Sequence, residues 1–273
     1  MTLVDLSRPV TSGMPVYPGD PEVRIDEALD IETDGVAVAS LRMGSHTGTH
    51  LDAPSHSIAG GRTVDRIPLD LLCGEARVLR ASSVGPGEGI VADHLDAPLP
   101  AELPRIVLLG TGWDRAFGTP EALQHPHLAV EFARRLWDRG ARVLGVDTFS
   151  PDPTDPAATA MPVHEFWLGG DGVIVENLTG LLALPDRVEA ALLPLRLAGV
   201  DGSPVRAVAR IAQEPLWRRN PSHIRTDTND TNSSNAEFAR IRDVVRTSEV
   251  WETGSTQHTT KSRGVSHTWA STP

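Results

Sequence analysis

The chain has 273 residues, 40% of them hydrophobic, and a formal charge of −11, which fits a globular protein with one main domain and a sizeable core. An acidic surface disfavours nucleic acid and anionic membranes as partners and leaves small molecules or proteins. The apolar runs at 105–110 and 142–146 fall far short of the roughly 20 residues that span a bilayer, so no membrane segment is expected.

The opening stretch MTLVDLSRPV has neither the basic region nor the apolar run of an export signal, and a cytoplasmic location is expected. Cys73 is the single cysteine, which leaves no internal disulfide and no thiolate metal cluster, and its apolar context LDLLCGEARV reads as core packing rather than as a nucleophile. Strands are predicted over 35–43, 75–81, 105–110, 142–147, 172–177, 188–197 and 205–211, where β-branched runs alternate with Gly and Pro turns. One amphipathic helix interrupts them at 128–140, with Ala129, Ala133, Leu136 and Trp137 on one face and Gly140 as its stop. A helix between two strands implies a parallel crossover. The fold class expected is strand-rich α/β, in a single domain over residues 1–212. From 213 to 273 the chain turns polar and rich in Ser and Thr, read as a flexible tail with a short helix over 237–251 that serves packing or oligomer contact.

Two absences narrow the chemistry. The only lysine, Lys261, lies in that tail, which argues against a Schiff base or buried lysine base, and no GxSxG elbow occurs. By contrast, HTGTHLDAPSH at 46–56 concentrates three of the 10 histidines with one aspartate. His46, His50 and Asp52 supply two imidazoles and a carboxylate, a donor set suited to Zn²⁺, Mn²⁺ or Fe²⁺ and poorly suited to Ca²⁺ or Mg²⁺. Their even offsets place them on one face if the segment stays extended, and Gly48 lets the backbone pass close to an ion. A plain surface loop is the rival reading, and the cluster as a whole favours the metal.

His56 lies four residues beyond Asp52 and after a proline. Imidazole ordinarily changes charge at about pH 6.5, suited to proton transfer, so His56 is assigned as general base and then general acid; its alternative is a fourth ligand. His164, after a proline-rich loop, and Glu176, at the end of an apolar strand, are the best further ligands by type and position. A carboxylate there demands a partner, because burying it unpaired is costly. Tyr17, Trp113 and Phe149 are candidates for a wall that stacks on an aromatic substrate, with core packing as the rival reading.

HTGTHLDAPSH resembles the HxGTHxDxPxH motif of the cyclase family of metal-dependent hydrolases, which includes bacterial kynurenine formamidase and isatin hydrolase. The likeness continues through DLSRPVTSGMPVYPGDP, GVDTFSPD, HEFWLGGDGVIVENLTG and LPLRLAGVDGSPVRAVARI, across most of residues 1–212. It implies metal binding by His46, His50 and Asp52, with His164 and Glu176 where a second ion is present, and it puts His56 at the catalytic histidine. It also implies a swivelling β/β/α fold, a homodimer or higher oligomer, and one or two divalent ions, Zn or Mn, per subunit. The activity expected is hydrolysis of an aryl formamide such as N-formylkynurenine. Opening of a cyclic amide such as isatin, a biosynthetic cyclase or dehydratase, and a metal-binding protein without turnover are the alternatives.

Overall fold

The computed structural model describes residues 2–154 and 160–211. The predicted helix at 237–251 and the tail reading lie outside these. In chain order the strands are β1 (Thr2–Asp5), β2 (Arg24–Leu29), β3 (Val38–Arg42), β4 (His50–Asp52), β5 (Cys73–Arg80), β6 (Gly89–Ile90), β7 (Ile106–Gly110), β8 (His127–Leu128), β9 (Val143–Val146), β10 (Val173–Glu176), β11 (Arg187–Pro194) and β12 (Gly202–Ile211). The helices are α1 (Ile31–Asp34), α2 (Leu69–Leu72), α3 (Val130–Asp138) and α4 (Pro162–Gly169).

An 8-stranded mixed sheet runs β1-β12-β11-β5-β7-β9-β10-β4, and a further pairing of β4 with β12 curls it into a barrel-like ring. β5, β7, β9 and β10 are mutually parallel, with α3 as the expected crossover between β7 and β9. Along β7, Ile106 and Leu108 join one buried cluster while Val107 and Leu109 join the other. In β10, Val173 and Val175 face the first and Ile174 the second. Period-two alternation between two covered faces is why these segments read as unbroken apolar runs.

The second cluster holds Phe132, Ala133 and Leu136 of α3 with Val163, Trp167 and Leu168 of α4, so both helices cover the same face of the parallel strands. Trp137 packs edge-on against Trp167, centroids 5.3 Å apart, and Gly140 at φ +113 closes the end of α3. That left-handed region is where glycine stops a helix.

The strand expected over 35–43 forms as β3, which pairs with β2 as a separate hairpin and is exposed along its whole length. One expectation is corrected. Cys73 is exposed, because β5 begins beyond the packed part of the sheet and its first three residues face solvent.

Candidate metal centre and cavity

β4 is only three residues long, but it stitches the ring together. His50 stands opposite Glu176 of β10 and Pro204 of β12, and Asp52 opposite Ile174 and Gly202. Alternation sends Leu51 into the first cluster and turns His50 and Asp52 to the other face, where the cross-strand register sets Glu176 beside His50. Glu176 is the last residue of β10, so the group gathers at the carboxyl end of the parallel strands, the usual ligand end of such sheets. Asn177, at φ 57, turns the chain directly after it, a left-handed conformation that asparagine tolerates.

His46 reaches the group differently from the extended arrangement expected. Residues 45–49 form turns rather than strand, with Gly48 at φ +61. The Gly48 carbonyl lies 2.9 Å from His50 Nδ1, which turns His50 Nε2 toward Asp52 Oδ1 at 3.3 Å and Glu176 Oε2 at 3.4 Å. His46 Nδ1 lies 2.7 Å from Asp52 Oδ1. Gly202 makes room for that ring: a Cβ there would sit 2.7 Å from His46 Cε1. His56 comes from the short 3-10 turn Pro54–His56, its ring centroid 4.0 Å from that of His46.

His164 arrives from α4. Asp152, 1% exposed, accepts from the backbone N–H groups of Val163 and His164 at 2.9 Å and lies 2.8 Å from His164 Nδ1. One carboxylate thus satisfies the orphan donors of the helix start and aims His164 Nε2 at Glu176 Oε1, 3.3 Å away, and at Asp52 Oδ2, 3.7 Å away. The donor atoms of His46, His50 and Asp52 lie within 4.8 Å of one another, as do those of Asp52, His164 and Glu176, so Asp52 is common to both groups.

The buried carboxylates draw positive charge into the group. Burial pushes His50 and His164 down, but the facing carboxylates outweigh it and hold both well above the usual imidazole range. Burial likewise opposes ionisation of Asp52, yet His50, His164 and His46 hold it well below the carboxylate range. Asp52 Oδ2 and Glu176 Oε1 are nonetheless buried with no hydrogen-bond partner. Buried acceptors left bare are rare and costly. Their nearest polar neighbour is His164 Nε2, at 3.7 and 3.3 Å, and two carboxylate oxygens without hydrogen bonds among imidazoles make a donor set that fits a divalent ion.

The cluster floors a cavity of about 370 Å³ whose walls include Tyr17, Asp20 and Phe149, a size suited to a small ligand. Phe149 stacks on Phe117 with centroids 5.1 Å apart. Trp113 does not line this cavity; its indole N–H donates to the Ala122 carbonyl at 3.2 Å. Sequence reasoning missed Asp152 and Asp201. Asp201 Oδ2 lies 2.9 Å from His46 Nε2 and 3.3 Å from His56 Nδ1, and these two imidazoles, against the effect of burial, hold its carboxyl down at about 2. Their signals were present in the FSPD and VDGSP turns, but an aspartate beside a turn glycine or proline is ordinary turn chemistry.

The family model described as "Putative cyclase" matches residues 4–153. The chain belongs to the cyclase family. It is 34% identical to a kynurenine formamidase from Salinibacter ruber over 218 residues, covering 79% of this chain and 100% of that protein. A kynurenine formamidase from Bacillus cereus is 33% identical over 208 residues, covering 76% and 96%. In structure, isatin hydrolase A from Labrenzia aggregata, bound to benzyl benzoate, superposes with a TM-score of 0.68 at 24% identity over 78% of this chain and 94% of its own. That last likeness is one of fold.

For this cyclase-family chain, replacing Asp152 by alanine removes the acceptor that aims His164, and such outer partners are worth about 10- to 100-fold in metal affinity. Calorimetric titration of chelator-treated Asp152→Ala with Zn²⁺ should show that loss; affinity equal to wild type would mean Asp152 only caps the helix.

Proposed function

We propose that this chain is a metal-dependent hydrolase of a small aryl amide, with N-formylkynurenine or a similar aryl formamide as substrate and formate as a product. The observation that carries the reading is the sharing of buried Asp52 between two His and carboxylate groups, with oxygens of Asp52 and Glu176 left without hydrogen-bond partners. The choice of formamide is supported by curated relatives at 33% and 34% identity that are kynurenine formamidases. In this reading His46, His50 and Asp52 would hold one Zn²⁺ or Mn²⁺ ion, and Asp52, His164 and Glu176 a second. A dication so bound would polarise a carbonyl and bring the pKa of water down to about 7.

The remaining work falls to the chain's own side chains. His56 lines the cavity, and Asp201 engages its Nδ1, which leaves Nε2 to take the proton of the attacking water and return it to the leaving nitrogen. Tyr17 and Phe149 provide the aromatic walls, and the stack of Phe117 behind Phe149 fixes that ring.

No helix among the described residues is long and apolar enough to cross a membrane. A cytoplasmic location belongs to the proposal, supported by a sequence with one cysteine. So does a homodimer. The β2–β3 hairpin exposes Ile25, Leu29, Val38 and Leu41, and an isolated two-stranded hairpin is marginal in water without a covering surface.

Metal-loaded protein should release formate from N-formylkynurenine, and His56→Ala should lower kcat by at least about 100-fold at unchanged metal content. Full turnover in that variant would remove His56 from the mechanism, and ring opening of isatin without formamide cleavage would move the substrate to the cyclic amides. Sedimentation should give a dimer or larger species that Leu41→Asp dissociates; a monomeric wild type contradicts the oligomer.

A further inference from the structure

The wall of the cavity opposite in chemistry to the aromatic rings is a lone carboxylate. Asp20 closes the turn that follows Tyr17, its N–H donating to the Tyr17 carbonyl at 3.0 Å across Gly19 at φ +100. It is half-buried and lines the same cavity as His46, His50, His56 and Glu176. Among the described residues its carboxylate accepts no hydrogen bond and forms no ion pair. Burial pushes its pKa up, the imidazoles of His46, His50 and His56 oppose that, and Glu176 adds to it. Asp20 therefore sits within the field of the centre while no hydrogen bond or salt bridge offsets its desolvation.

The rest of the lining sharpens what such a group recognises. None of the described lining residues is Arg or Lys, so no guanidinium or ammonium of the chain competes for Asp20 there. A ligand cation meets Asp20. A ligand ammonium would supply the charge-assisted hydrogen bond that Asp20 lacks, about twice as strong as a neutral one.

We propose that Asp20 is a specificity-determining residue of this cavity, and that it selects aryl ketone or aryl amide ligands whose side chain carries an ammonium group. This rests on the reading of the cavity as an aryl-amide site, and it adds the charge class of the substrate. No bond is made or broken by Asp20, which acts through binding alone.

Two unreactive probes isolate the effect from turnover: 2′-aminoacetophenone, which is neutral, and kynuramine, the same aryl ketone with an aminomethyl group added to its methyl carbon. Titrated into the zinc-loaded full chain, kynuramine should bind at least about 10-fold tighter than the acetophenone, and Asp20→Asn should shrink that ratio to about 2-fold or less with the acetophenone Kd unchanged. Equal affinities in the wild type overturn the proposal, as does a ratio retained in the variant. Parallel weakening of both probes, or loss of zinc from Asp20→Asn, would show that Asp20 supports the metal centre or the loop instead. Because binding is read directly, failure of formate release would sink the formamidase reading while leaving this result intact. Absence of binding by either probe would overturn the aryl cavity itself.

Discussion

Asp52 is a carboxylate with 0% exposure, held in a three-residue strand that closes the sheet on itself. Charge buried in this way costs several kcal/mol unless it is matched by opposite charge and hydrogen bonds. The surrounding chain is arranged around meeting that requirement. Three imidazoles approach Asp52 from a turn, from its own strand and from α4, and one of its oxygens still lacks a hydrogen-bond partner. In the proposed reading a divalent ion held by Asp52 would complete the match, so the proposed chemistry and the closure of the barrel depend on the same residue.

Precision in the group comes from what stands behind it. The Gly48 carbonyl sets His50, Asp152 sets His164, and Asp201 spans His46 and His56. Each contact occupies one ring nitrogen and so decides what the other can do. In the proposed mechanism the Asp201 contact ties the proton carrier to a ligand: a movement of Asp201 would reach His46 and His56 together. The glycines contribute through space. Gly202 leaves room for the His46 ring, and Gly145 packs so closely that a Cβ would lie 2.6 Å from Leu108 and 2.7 Å from Leu178.

Much of this was legible in the sequence. The parallel strands and α3 follow from apolar runs and helical spacing, and HTGTHLDAPSH announces its donor set by density alone. What escaped did so for definable reasons. α4 is short, apolar on most sides and ends on the glycine pair 169–170, so it shows little helical periodicity, although it carries His164. His46 departs from the extended geometry because Gly48 adopts a positive φ that sequence allows but does not demand. Asp152 and Asp201 are remote in sequence from the histidines they orient, by 12 and by 155 and 145 positions, and contacts at that separation are created by topology. The alternation at 35–43 marks β3 but not its exposure, because a period of two shows that a strand has two faces without showing that either is covered.

Whether the group around Asp52 is a metal centre is decided by calorimetric titration of chelator-treated protein with Zn²⁺ or Mn²⁺. A metal centre should give saturable binding of one or two ions per chain, a rise in Tm on loading, and loss of both in Asp52→Asn. Absence of binding, or binding and Tm that are the same in Asp52→Asn as in the wild type, would contradict it.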